Sequence, residues 1–448
     1  MDSVIFRQYD IRGIVYQDFQ PKDFYKIAQG FCSLFENIDN KTVAIGMDAR
    51  LHSNEIKENL TKGIIESGFN VIDLGTVSTP MTVFASKHLK TELAIMITAS
   101  HNPKEYNGAK FFLNQKQFFG ENITMRLKDA SLNRNFQKNP TGSYYQFDIS
   151  EIYADYILNK FNFSQTKKLK VAFDCGNSVG SVGLGKILPK LSFETHVLFG
   201  EIDGNFPNHH PDPSKESNML DLKDFILKNS YDIGFAFDGD ADRVGVVLKN
   251  GKILSGEELF YVISKYLLKQ GKKDFVVDVL TSHVIIKRLE KDGAKVILSQ
   301  VGNGFISQKM RETNSTLGIE MSGHICIKDR MHMGNDDAIF NALYILDIFM
   351  NTDIESTLKE IKNLSSTTNQ KHKVSESQKD VILKNIISEI KEIYPACNTI
   401  DGCRVEFENG FFCVRKSNTE NIIMLKTENL DILTKNQLEA IFRKYIVE

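Results

Sequence analysis

Nowhere in the 448-residue sequence do about 18 apolar residues follow one another, the length a helix needs to cross a bilayer. The opening MDSVIFRQYD also lacks the basic segment and apolar stretch of a secretory leader, so the expected compartment is cytoplasmic. Cysteine is sparse. Cys32, Cys175, Cys326, Cys397, Cys403 and Cys413 form no C-x-x-C pair, which argues for reduced thiols and against a disulfide framework or a zinc site. No charge of one sign predominates either. A formal charge of -2 with interspersed signs gives no broad footprint for nucleic acid or for an anionic membrane, so any anion must bind in a local pocket. What remains is ordinary for a globular chain, 42% hydrophobic and 25% charged residues, at a length that calls for roughly three or four domains.

Three apolar runs end in an aspartate and pass into a polar loop: TVAIGMD at Asp48, LKVAFD at Asp174, and FVVDV through Asp278. Helical patterns such as NEIKENLTKGIIESG follow, as βαβ units require, so the pattern predicts three related α/β domains with mixed sheets. Ligands bind such sheets beyond the carboxyl ends of the strands, which directs attention to the polar residues after these runs. The stretch NLSSTTNQKHKVSES (363–377) breaks the apolar periodicity and reads as a linker or exposed turn. Beyond it RVEF, the turn ENG and FFCVR form a hairpin, and NQLEAIFRKYI a closing amphipathic helix, giving a smaller α+β C-terminal domain. The expected division is 1–149, 150–249, 250–364 and 365–448.

The sharpest chemical signal is Asp238-Gly239-Asp240-Ala241-Asp242-Arg243 between the strand-like runs IGFAF and VGVVL. In an extended backbone residues two apart share a side, so three carboxylates converge, and their repulsion asks for a cation. All-oxygen ligands favour Mg2+, Ca2+ or Mn2+ over zinc, and open positions suit Mg2+ completed by a phosphate oxygen. A solvated acidic turn is the competing reading. An EF-hand is excluded, because Arg243 stands where its glycine is needed and Lys249 where its bidentate glutamate belongs. Thr98-Ala99-Ser100-His101-Asn102-Pro103 follows the apolar run LAIMI, a position that exposes a serine enough to react, although the motif alone is also compatible with a plain turn. Gly318-Ile319-Glu320-Met321-Ser322-Gly323-His324 gathers a carboxylate, a hydroxyl and an imidazole suited to sugar hydroxyls. Arg415-Lys416-Ser417-Asn418-Thr419 offers donors for a phosphate, and solvated loops compete with both readings. Gly180 to Ile187 mimics a P-loop, but Ile187 stands where Ser or Thr should hold magnesium, so helix packing through small residues explains it better.

Taken together and in order, FRQYDIRG, STP (Ser78 to Pro80), TASHNP, NGAK, DGNFPNHHPDP, DGDADR, EMSGH and RKSNT resemble the α-D-phosphohexomutase family, particularly its phosphomannomutase/phosphoglucomutase branch. The resemblance spans the chain. It implies four domains around a central cleft, small-molecule phosphosugars as substrates, and transfer of a phosphoryl group between the two ends of a hexose phosphate. Phospho-Ser100 would be the carrier, and a hexose 1,6-bisphosphate the intermediate. Asp238, Asp240 and Asp242, with Ser100, would hold Mg2+, while Arg12, Lys110, Arg243 and His324 would serve the transfer. Tyr9, Glu320 and Ser322 would contact the sugar, and Arg415, Ser417, Asn418 and Thr419 the non-reacting phosphate. EMSGH favours mannose and glucose over glucosamine. Three positions depart from the family pattern: Leu280 replaces a lysine, Asn303 a histidine, and Asn421 displaces a proline. These departures leave two alternatives open, a mutase for another phosphosugar and a weakly catalytic sugar-phosphate binding protein.

Overall fold

The computed structural model describes residues 1–446 apart from 134, 135, 137, 138, 140, 164–168, 331, 363–366 and 418–420, and all their side chains but those of 121, 122 and 376. Two compact units divide the chain: Met1–Leu254 with Gly323–Ile325 and Arg330–Asp347, and Ser255–Ser322 with Cys326–Asp329 and Ile348–Glu448. Among the described residues no helix is long and apolar enough to cross a membrane. All six cysteines are free thiols.

The first unit carries two mixed sheets. In one, Thr42–Met47 lies between parallel neighbours Leu93–Ile97 and Asn70–Thr76, and Tyr106–Leu113 runs antiparallel to Leu93–Ile97. Val43, Ile45, Leu93, Ile95 and Ile97 are wholly buried, which is why these strands read as unbroken apolar runs rather than alternating ones. Each such side chain contributes about 1.5–3 kcal/mol relative to exposure. At the sheet's edge Ile11–Ile14 pairs with Tyr106–Leu113 in a register that sets Arg12 opposite Gly108. A Cβ on Gly108 would stand 1.9 Å from the Ile11 carbonyl oxygen, so the glycine of NGAK is what lets the Arg12 strand approach.

In the second sheet Ile233–Phe237 pairs antiparallel with Val244–Leu248 and parallel with Lys170–Asp174, which is followed by Glu194–Leu198. The P-loop mimic is the helix Gly180–Ile187, and a Cβ on Gly183 would meet Ile339 at 2.6 Å, so its small residues serve packing.

The second unit sets Asp274–Asp278 between parallel neighbours Lys295–Ser299 and Leu317–Ile319. It also holds an antiparallel sheet ordered Thr367–Lys373, Ile422–Glu428, Phe411–Lys416, Cys403–Glu406. Ile386 and Ile390 of one helix and Leu438 and Phe442 of another pack on Phe412, Val414 and Ile423 of that sheet. The polar stretch expected to be a linker instead supplies an edge strand, each residue from Thr367 to Lys373 having a partner in Ile422–Glu428. Its exposed side chains need not be apolar, because the pairing is made by the backbone.

One device recurs in both units. The strand-ending Asp48, Asp174 and Asp278 are all buried. Each accepts a hydrogen bond from the backbone N–H two residues on: Arg50 N at 3.0 Å, Gly176 N at 2.9 Å and Leu280 N at 2.8 Å. The aspartate side chain thereby turns the chain sharply off the end of its strand.

Candidate active site

Phe237 and Val244 face each other across the hairpin, so Asp238 to Arg243 is a six-residue turn. The carboxylates converge through that turn and not through an extended run. Ala241 takes a left-handed conformation at φ 55°, and its N–H donates to the Asp238 carbonyl oxygen at 3.1 Å. The Asp238 carboxylate accepts from Asp242 N at 3.0 Å and Arg243 N at 3.1 Å, so the loop is wound about its own first residue. One oxygen from each of Asp238, Asp240 and Asp242 lies within 4.8 Å of the others. At that separation, with an effective dielectric near 20, two carboxylates repel by ~3.5 kcal/mol.

Protein cations answer this only in part. Lys110 Nζ donates at 2.6 Å to both Asp240 and Asp242, and Thr79 Oγ1 donates to Asp240 at 2.5 Å. Burial opposes the charge on Lys110, but Asp240 and Asp242 outweigh it and raise the ammonium above its usual range. Burial likewise opposes ionisation of Asp242, yet Lys110, His324 and Arg243 hold it below the usual carboxylate range. Asp238 is pushed well above that range by burial and by its two neighbours. Among the described residues Asp240 Oδ1 and Asp242 Oδ1 are buried without a hydrogen-bond partner, although His324 Nδ1 lies 3.6 Å from Asp242 Oδ1. Buried carboxylate oxygens without hydrogen bonds, their repulsion only partly relieved, are what a small hard cation would satisfy, so the residues fit Mg2+.

Ser100 Oγ donates to Asp238 Oδ2 at 2.9 Å and lies 3.2 Å from His101 Nδ1. Thr98 Oγ1 accepts from Ser100 N at 2.7 Å and itself donates to Asp48 at 2.7 Å. A Cβ on Gly239 would stand 2.3 Å from the Ser100 carbonyl oxygen, so the serine turn and the acidic turn touch through that glycine. Arg12 donates through Nη1 to Asn102 Oδ1 at 2.7 Å and pairs with Asp10. Arg243 Nε donates to His324 Nε2 at 2.9 Å, and His324 Nδ1 lies 2.8 Å from Asp336 Oδ2. The Tyr9 ring is tilted against Phe119 at 6.1 Å, and its carbonyl oxygen accepts from Gln117 Nε2 at 2.8 Å.

The remaining sequence-predicted residues belong to the second unit. Ser322 Oγ donates to Glu320 at 2.9 Å, and Asp278 accepts from Met321 N at 3.1 Å. Arg415 Nε pairs with Asp401 at 3.1 Å, while its buried Nη2 has no hydrogen-bond partner among the described residues. Ser417 N donates to Ile422 O at 3.0 Å, and Asn418 and Thr419 lie outside the described residues. Leu280 packs on Val279, Phe411 and Cys413, and Asn303 Oδ1 accepts from Cys326 Sγ at 3.3 Å. Sequence reasoning passed over Asp336, Thr79 and Arg50. Thr79 stands in STP and Arg50 two residues after a strand-ending aspartate, whereas nothing near Asp336 distinguishes it in the sequence.

A buried serine held beside three clustered carboxylates, both in turns that leave the strands of α/β sheets, is the arrangement that the resemblance to α-D-phosphohexomutases implies. Models of the phosphoglucomutase/phosphomannomutase α/β/α domains I, II and III match residues 3–138, 151–251 and 255–367. The phosphomannomutase/phosphoglucomutase of Pseudomonas putida is 33% identical over 446 residues, spanning 99% of this chain and 95% of that protein. The phosphoglucomutase of Neisseria gonorrhoeae is 34% identical over 428 residues, 95% of this chain and 92% of its own. A crystal structure of a phosphoglucomutase/phosphomannomutase family protein from Burkholderia thailandensis superimposes with a TM-score of 0.88 at 29% identity, covering 99% of this chain and 97% of that one. The chain belongs to the phosphoglucomutase/phosphomannomutase family.

Proposed function

We infer that the protein interconverts hexose 1-phosphates and hexose 6-phosphates, of mannose, glucose or both, by passing a phosphoryl group through Ser100 and a hexose 1,6-bisphosphate. The observation that carries this reading is the 2.9 Å hydrogen bond from Ser100 Oγ to Asp238, in a turn whose other two carboxylates each keep a buried oxygen that accepts no hydrogen bond from the described residues. Asp238, Asp240, Asp242 and Ser100 would hold Mg2+, which when bound offsets negative charge on the transferring phosphoryl oxygens. Phospho-Ser100 gives its phosphoryl group to the free hydroxyl of a hexose monophosphate. A new P–O bond forms as the P–Oγ bond breaks; the hydroxyl proton passes to a base, for which we assign His324, and Ser100 Oγ, leaving as an alkoxide, takes up a proton to become the serine hydroxyl again. The bisphosphate then turns end over end and returns its other phosphoryl group to Ser100, releasing the isomeric monophosphate. Lys110, Arg243 and Arg12 supply the positive charge that this loose, highly charged transition state requires.

The family pattern assigns Tyr9, Glu320 and Ser322 to the sugar, and Arg415, Ser417, Asn418 and Thr419 to the non-reacting phosphate. The Nη2 donor of buried Arg415, without a hydrogen-bond partner among the described residues, suits an anion. Six free thiols fit a cytoplasmic setting. The test is a coupled mutase assay on mannose 1-phosphate and glucose 1-phosphate with Mg2+ and a trace of the bisphosphate, together with phosphopeptide mapping. Turnover of at least one sugar, phosphate on Ser100, reversible loss on chelation and loss in Ser100→Ala are expected. Normal turnover by folded Ser100→Ala, or in excess chelator after metal removal, would sink the reading.

A further inference from the structure

Ser100 stands at φ 50°, a left-handed conformation that a residue with a Cβ leaves unless it is held there. What holds it is a side chain that the chemistry above does not use. Arg50 is 2% exposed, and every nitrogen of its guanidinium is engaged. Nε donates to Asp48 Oδ2 at 3.1 Å, Nη1 to the carbonyls of Pro103 at 2.7 Å and Tyr106 at 2.9 Å, and Nη2 to those of Ser100 at 2.8 Å and Asn102 at 2.6 Å. Five donors meet five acceptors, three of them carbonyls of the turn that carries Ser100 and a fourth that of Tyr106 at the start of the strand that follows.

The motif DGNFPNHHPDP, also without a part in the chemistry, closes on the same turn. The Phe206 ring lies 5.4 Å from the Arg50 guanidinium, and a Cβ on Gly204 would stand 2.4 Å from the Ala49 carbonyl oxygen. His210 Nε2 is hydrogen-bonded to the carbonyl oxygen of His101, the residue after Ser100.

We propose that Arg50 is the positioning residue of the phosphoryl carrier, fixing where Ser100 Oγ stands by fastening three carbonyls of its turn and that of the strand residue Tyr106 behind it, with His210 as a second tether. The proposal rests on the reading of Ser100 as the carrier. Its chemical reason is that Ser100 must present the same oxygen both as the leaving group of one transfer and as the nucleophile of the next. An oxygen that wanders by about 1 Å loses in-line alignment at a cost of about 100-fold in rate. Lysine cannot replace the fork, having three donors in place of five and no plane to spread them.

The experiment measures single-turnover transfer of phosphate from glucose 1,6-bisphosphate to Ser100 in the full chain with Mg2+, and separately the dissociation constant of glucose 1-phosphate. In Arg50→Lys the transfer rate is expected to fall about 100-fold while the dissociation constant stays within about threefold. His210→Phe removes the second donor and is expected to slow transfer about tenfold, whereas His210→Gln, whose amide nitrogen reaches as far as Nε2, restores it. A purely structural role would not separate transfer from binding, nor the two His210 variants from each other. Parental transfer in folded Arg50→Lys overturns the proposal. If that variant does not fold, equal rates in His210→Phe and His210→Gln overturn it instead. A parent that takes no phosphate on Ser100 overturns the carrier reading itself, and with it this one.

Discussion

Asp336 illustrates how a single side chain can govern a site from outside every motif. Its Oδ2 holds His324 Nδ1 at 2.8 Å, and the opposite ring nitrogen accepts from Arg243 at 2.9 Å. With Nδ1 carrying the proton toward the carboxylate, Nε2 keeps a lone pair, and the ring cannot turn without breaking both bonds. Asp336→Asn keeps the shape and removes the charge. A charge-assisted hydrogen bond contributes about 1.5–3 kcal/mol, so turnover is expected to fall roughly ten- to a hundredfold with little change in KM for hexose phosphate. Steady-state kinetics of the folded variant check this, and an unchanged kcat would remove Asp336 from the mechanism. At this scale the sequence was most readable where residue type and spacing together are restrictive. Three aspartates two apart pointed to the carboxylate cluster, although it forms through a turn and not through the extended run their spacing suggested, and the serine after LAIMI stood out only in the company of the other motifs. Asp336 was illegible because no local pattern records the bond it makes to His324, whereas Thr79 stood in the STP motif although its bond to Asp240 reaches across 161 residues. Leu280 shows the opposite limit: it breaks the family pattern, yet it packs with Val279, Phe411 and Cys413 as an ordinary apolar residue would.

Among the elements, the aspartate that ends a strand is the repeated part, and its surroundings differ from copy to copy. Asp48 is braced by Arg50, Ser53 and Thr98, and Asp174 by His209. Asp278 has Leu280 N and Met321 N, but it also has Glu320 nearby, and burial followed by that like charge raises its pKa from 3.8 to about 6. The folded state therefore binds this proton more tightly than the unfolded chain does. Stability from this group is full below about pH 3.8 and is lost as pH rises through about 6, a change of ~3 kcal/mol. Denaturant titrations at pH 4, 5, 6 and 7 are expected to show this decline, and Asp278→Asn, which cannot ionise, to flatten it. An equal slope in parent and variant would contradict the assignment. The strands that carry these aspartates were legible because burial on both faces leaves continuous apolar runs. The edge strand Thr367–Lys373 was not, since its mostly exposed side chains carry no such record and only its backbone is paired.

For the molecule as a whole, the only partly relieved charge among Asp238, Asp240 and Asp242 would couple binding of a cation to folding. A ligand that binds only the native state stabilises it by about 2.7 kcal/mol at a hundred times its dissociation constant. Added Mg2+ is therefore expected to raise the melting temperature in a concentration-dependent way, and Asp240→Asn to abolish most of that rise while lowering turnover far more than it lowers stability in the absence of metal. A melting curve indifferent to Mg2+ in the parent would count against the site. The α/β class of the chain followed from strands and helices alternating along the sequence, and the family from motifs kept in order over its length. The same wiring has a consequence for hydrogen exchange. The amides of Ser100, Asp242 and Arg243 lie outside regular strands and helices, yet they donate to Thr98 and Asp238 side-chain oxygens in buried surroundings. Their deuterium uptake should consequently resemble that of a core strand rather than a loop, and Thr98→Val should release Ser100 alone to fast exchange while leaving the other two slow.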